Sequence, residues 1–230
     1  MFVQVCSHCA RLEDTIVNPL PVYDVPQRPA SWDGAVETWP WAQLAPLPLF
    51  VLADGSAPAQ QQTAVRLCYD AVALHVRFDC ADTYIWGTYT ERGDPLYDEE
   101  VVEVFLAPGA DAPSTYAEFE ISPNGVLFDA MIDNSAGQRA MLGVDSGWNP
   151  AVQWQAGRTA GSDHWWATLN IPWHTLVPGD LPQCWRANFY RIDRPRDAEP
   201  EFSCWSPTHT TPADFHVPAR FGVLYLELPQ

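Results

Sequence analysis

The chain has 230 residues, 47% of them hydrophobic, and a formal net charge of −17 in which all 12 basic residues are arginine. That apolar content excludes a disordered chain, and the length suits one large β domain. The acidic field repels phosphate backbones and anionic bilayers, so neither nucleic acid nor membrane is an expected partner; neutral sugars and Ca²⁺ are compatible with it.

No segment approaches the roughly 20 apolar residues that span a bilayer. The start, MFVQVCSHCARLED, lacks a basic stretch followed by an apolar one. The expectation is therefore cytoplasmic if Met1 is the true start, with an extracellular location as the alternative. Cys6, His8 and Cys9 resemble half of a zinc knuckle, but no second pair sits at finger spacing, and a loose arm with free thiols is the simpler reading. The 22 prolines point to ordered loops and edge strands rather than helices.

In chain order, residues 1–30 are Pro-rich and aperiodic and read as an extended arm. Residues 31–41 (SWDGAVETWPW) read as a loop with an aromatic anchor, and 49–53 as a short strand. Residues 63–69 alternate, with Val65, Leu67 and Tyr69 on one face and Ala64, Arg66 and Cys68 on the other. Residues 72–79 alternate too, placing Leu74, Val76 and Phe78 opposite Ala73, His75, Arg77 and Asp79. The pair reads as a hairpin with one wet face, and Cys68 and Cys80 as buried thiols. Further strands are expected at 101–106, 116–121, 126–132, 151–157, 165–171, 185–192 and 221–228, with a helical turn at 172–176. Ser122-Pro123-Asn124-Gly125 carries a strong turn signal. The fold class is all-β: an antiparallel β-sandwich of roughly ten strands, immunoglobulin- or jelly-roll-like, with little helix. Residues 1–20 form an N-terminal arm and 21–230 a single domain.

The residues carry no GxSxG, P-loop or HExxH motif. The segment 94–106, DPLYDEEVVEVFL, gathers Asp98, Glu99, Glu100 and Glu103 around the start of one strand. Two carboxylates about 5–9 Å apart could hydrolyse a glycoside. They could equally accept hydrogen bonds from sugar hydroxyls or ligate Ca²⁺, and this is preferred, because a general acid needs burial to raise its pKa. The 11 tryptophans and eight tyrosines supply planar faces of the kind on which sugar C–H faces stack. Trp165, Trp166, Trp173 and Trp185 read as core. Trp86 beside Arg92, Tyr97 before the acidic cluster, and Trp205 and Phe215 in the loop FSCWSPTHTTPADFH are the candidate sugar-stacking residues. Asn188 and Tyr190 share one strand face and could read hydroxyls; Arg191 lies on the other, where a structural salt bridge competes with a ligand role.

The order DPLYDEEVVEVFLAP, YxEFEISPNG, HWWATLNIPW, RANFYRID and CWSPT…FHVPARFGVLYLEL resembles the family 9 carbohydrate-binding modules and, more broadly, the DOMON-like sandwiches, over roughly residues 20–228. The resemblance implies a non-catalytic sandwich, not an enzyme, that holds a mono- or oligosaccharide between two aromatic side chains, with Ca²⁺ bracing the loops. It assigns Tyr97, where the family has Trp, and Glu103 to one wall, and Phe215, or alternatively Trp205, to the other. The family's sugar-binding arginine falls on Glu118 or Glu120. The proposed ligand set is therefore Tyr97, Glu103, Trp205, Phe215, Trp86, Asn188, Tyr190, Arg191 and Glu120, with Asp79, Asp82 and Asp129 as Ca²⁺ ligands. Two alternatives stand beside it: a glycoside hydrolase or lyase using Glu99, Glu100 and Glu103, and a haem b electron-transfer domain with ligands among Met131, Met141, His75, His164 and His216.

Overall fold

The computed structural model describes residues 18–227, and among them 13 strands form two sheets. The four-stranded sheet is built from β3 (Thr63–Tyr69), β4 (Ala73–Ala81), β9 (Gln153–Arg158) and β10 (His164–Pro172), in the order β3-β4-β10-β9. The larger sheet has β1 (Val22–Val25), β13 (Gly222–Leu226), β11 (Cys184–Asp193), β5 (Val101–Pro108), β6 (Thr115–Ile121), β7 (Leu127–Asp133) and β8 (Gly143–Asp145) as its main path. A branch adds β12 (Glu201–Cys204) on β11 and β2 (Val51–Leu52) on β12.

Alternation sets which side chains meet between the sheets. Val65, Leu67, Val76 and Phe78 from the small sheet share one core with Val104, Leu106, Phe119, Trp185 and Phe189 from the large one. A fully buried side chain of this kind contributes roughly 1.5–3 kcal/mol of hydrophobic stabilisation. Trp165, Trp173 and Trp185 are buried as expected, whereas Trp166 is half-buried with the Arg77 guanidinium 4.5 Å from its ring centroid.

Each sheet is also covered on its outer face, which alternation alone does not reveal. Trp32, Trp39 and Trp41 pack with Cys68 on the small sheet, and the Trp39 ring lies 4.9 Å from that of His75. The expected wet face of the β3–β4 hairpin is therefore roofed over much of its length. On the large sheet, Phe105, Tyr116, Ile132 and Tyr190 pack with Phe215 and Phe221 in a second apolar cluster. All ten residues of β11 are consequently buried.

The expected arm needs correction: β1 pairs in parallel with β13, so the chain is held in the sheet from Val22 onward. Residues 1–17, including Cys6, His8 and Cys9, lie outside the described residues. The strands β1, β8 and β12, absent from the sequence reading, are three or four residues long, too short for an alternation signal. The expected turn after β10 is a single 3₁₀ turn over Trp173–Thr175.

Candidate functional site

The outer face of the large sheet holds a cavity of about 450 Å³. Its floor comes from strands: Glu103 on β5, Glu118 and Glu120 on β6, Phe128 on β7, Ile192 on β11 and Phe202 on β12. Register explains the grouping, since Glu103 faces Glu120 directly across β5 and β6 and Phe105 faces Glu118. Tyr97 enters from the 3₁₀ turn Leu96–Asp98, Arg139 and Leu142 from the β7–β8 connection, and Val144 from β8. Ala213, Phe215 and His216 come from the segment after β12. Tyr97 is 48% exposed and Val144 54%, so apolar surface is presented at the mouth. Phe215 is 7% exposed and stacks on Tyr190 with centroids 4.2 Å apart and planes 17° apart.

Carboxylates dominate the floor. Glu103, Glu118 and Glu120 are buried, and oxygens from all three lie within 4.8 Å of one another. Burial pushes all three pKas up; mutual repulsion adds to it for Glu103 and Glu120, and Glu118 is raised to about 7. Glu103 Oε1 and Glu120 Oε2 have no hydrogen-bond partner. His216 Nε2 lies 4.0 Å from Glu118 Oε1, while its Nδ1 is 2.8 Å from the Tyr116 hydroxyl. Burial lowers the His216 pKa to about 4, so the ring is neutral at pH 7. Among the described residues Arg139 is the one cation lining the cavity, and its Nη1 donates to Asp214 at 2.7 Å. The site thus combines aromatic surface with an acceptor-rich, cation-poor floor.

The family model for carbohydrate-binding family 9 matches residues 46–226. The chain belongs to carbohydrate-binding family 9. An extracellular protein of Arthroderma benhamiae is 30% identical over 181 residues, covering 73% of this chain and 81% of that protein. A structure from Bacteroides uniformis, described as a candidate carbohydrate-binding protein, superposes with TM-score 0.71 at 20% identity over 91% of this chain and all of that one. A family 9 module of Caldicellulosiruptor kristjanssonii in complex with glucose gives TM-score 0.59 at 15% identity, covering 91% of this chain and 97% of that one. The same module with cellotriose gives 0.59 at 14%, covering 91% and 95%.

In this family 9 module, Tyr97, Glu103, Glu120 and Phe215 line one cavity, and the other expected ligand residues do not. Trp205 is 3% exposed in the inter-sheet core, its ring 5.8 Å from that of Phe189, so the alternative stacking residue is a packing residue. Asn188 is fully buried and braces the chain: its Oδ1 accepts from the backbone N–H of Phe189 and of Ser206, and its Nδ2 donates to the Ser206 carbonyl. Tyr190 lies beneath Phe215 and donates to the Phe215 carbonyl at 2.9 Å, supporting that residue from behind. Arg191 points to the opposite face, where it pairs with Asp82 at 3.0 Å and Asp193 at 2.9 Å. Trp86 is half-buried and donates to the Arg194 carbonyl at 2.8 Å.

The expected Ca²⁺ ligands do not converge. Asp79 is paired with Arg66 and Arg77, Asp129 with Arg92, and Asp82 with Arg191. Each carboxylate already has a guanidinium, so this donor set does not fit a cation that takes six to eight oxygens. The acidic cluster of the sequence also divides. Glu99 accepts from the Thr88 N–H and hydroxyl and fastens that loop. Glu100 accepts from the Arg194 N–H beside Asp82 and Asp193, and only Glu103 reaches the cavity. Of the haem-ligand candidates, His75 lies on the small sheet and His216 beside the outer face of the large one. Sequence reasoning missed Glu118 as a wall residue in its own right, although strand alternation puts it beside Glu120. It named His216 only as a haem ligand, and it missed Arg139 and Phe202, which arrive from distant segments.

Proposed function

We propose that the cavity holds the terminal sugar of a saccharide against Tyr97 and Phe215 without chemical change. The observation that carries this reading is that aromatic and carboxylate side chains from six separate segments converge on one open cavity of about 450 Å³, within the range of small-molecule sites. An aromatic face takes the apolar side of a pyranose, and carboxylate oxygens accept from its hydroxyls.

Glucose and cellotriose, the ligands of the Caldicellulosiruptor module, are the first compounds to try. Isothermal titration should show saturable binding, weakened about 10-fold or more by Tyr97→Ala through loss of the exposed stacking face. Heat signals at the level of dilution for folded wild-type protein would refute the assignment. So would release of product from aryl glycosides.

A further inference from the structure

We propose that this cavity selects a cationic amino sugar, whose ammonium is received by Glu103, Glu118 and Glu120. The inference rests on the carbohydrate reading above and narrows its ligand class.

Three observations point the same way. First, Glu103 and Glu120 are 2% and 1% exposed, and each directs an unpartnered carboxylate oxygen into the cluster. A buried acceptor without a donor costs free energy that a bound donor would recover. Second, the residues around the triad bring little competing positive charge, that of Arg139, which still acts on Glu103 and Glu118. His216 is neutral at pH 7, and Arg139 is engaged by Asp214. Tyr116 and Tyr190, which pack behind the cluster, have pKas raised by burial and are uncharged. Third, the rest of the lining is shaped for an organic body. Tyr97, Phe128, Phe202, Phe215, Ile192 and Leu142 offer mainly apolar surface, and beyond the glutamates the side-chain oxygens of the lining are only those of Tyr97 and Ser146, few for a bare metal ion. An ammonium presents three donors, one for each glutamate, and its charge lowers the raised carboxyl pKas so that the protons held there leave to solvent as it binds, while the ring that carries it rests on the aromatic surface. Neutral sugars offer only hydroxyls, which give each carboxylate a weaker, uncharged donor.

Isothermal titration at pH 7 with glucosamine, N-acetylglucosamine and glucose, in EDTA and then with added calcium, decides the matter. Glucosamine should bind at least about 10-fold more tightly than its N-acetyl derivative, the worth of one charge-assisted hydrogen bond. Glu120→Gln should reduce that ratio by most of its value in protein whose melting profile remains cooperative. Glu103→Gln provides a second variant should the first fail to fold. If glucose or N-acetylglucosamine binds as well as glucosamine, the inference falls and the carbohydrate reading stands. If no sugar binds, both fall. If sugar binds only with calcium and is lost in EDTA, the triad is a metal site and the amine assignment is overturned.

Discussion

Among the described residues Arg191 is the largest charged group sealed inside, with zero exposure on the inner face of β11. Its Nη2 donates to both Asp82 and Asp193, and its Nη1 to the Ala81 carbonyl at 2.6 Å. Glu100 beside them is pushed up to about 10 by burial and by hydrogen bonds with Asp82 and Asp193, so it joins the group as a neutral acid. Removing one partner of a buried ion pair leaves the other charge uncompensated. Arg191→Ala should therefore destabilise the protein by about 3–5 kcal/mol in urea unfolding. A loss under 1 kcal/mol would mean that water reaches the group. Alternation placed Arg191 on the opposite strand face from Asn188 and Tyr190. It could not say that both faces are buried, and so it left all three as ligand candidates.

At the scale of the element, β13 shows how a close approach fixes a residue. A Cβ on Gly222 would lie 2.6 Å from Trp205 Cη2 and 2.9 Å from the Pro21 carbonyl oxygen. Trp205 and the backbone entering β1 thus press on the same point of the sheet. Gly222→Ala should cost roughly 1–3 kcal/mol, read as a drop in Tm, because both neighbours are packed. Wild-type Tm would show that the edge strand gives way freely. The same crowding explains why Trp205 was misplaced by sequence. Its Pro/Thr/His-rich surroundings look like an exposed loop, yet its backbone N–H still bonds to the Phe189 carbonyl at 3.0 Å and the ring turns inward. Strand positions with regular alternation, such as β3, were legible to the residue.

At the scale of the whole molecule, the cavity floor sets a pH dependence. The folded chain holds protons on Glu103, Glu118 and Glu120 above the ordinary glutamate value of 4.5, up to about 7 for Glu118. Within that window the folded state binds more protons than the unfolded one, so stability falls as pH rises. His216, lowered from 6.5 to about 4, acts in the opposite sense: between those values the unfolded state binds the extra proton and stability rises with pH. Above pH 6.5 the histidine contribution is complete, and the glutamates act without that opposition. The ligand-free protein should therefore lose Tm between pH 6.5 and about 8, and Glu118→Gln should flatten that loss. A Tm that climbs over this range would show that the triad is already neutralised. Stability given up at a concentrated site of this kind is the usual companion of a binding role.

Taken by itself, the amino-acid sequence determined the β class, most strand positions, the order of motifs that resembles carbohydrate-binding family 9, and the pairing of Tyr97 with Glu103 on one wall. The class and the strand positions follow from period-two alternation and short-range turn chemistry, which are local properties of the chain, whereas the pairing of Tyr97 with Glu103 is what the family resemblance implied. Only the tertiary structure decided that Phe215 rather than Trp205 joins that wall, that Asn188 and Arg191 are internal braces, and that Glu118, His216 and Arg139 complete the site. Those choices depend on how the segment between β12 and β13 folds back over a sheet whose other face is already buried. The strand register that sets Glu103 opposite Glu120 is likewise a relation between segments.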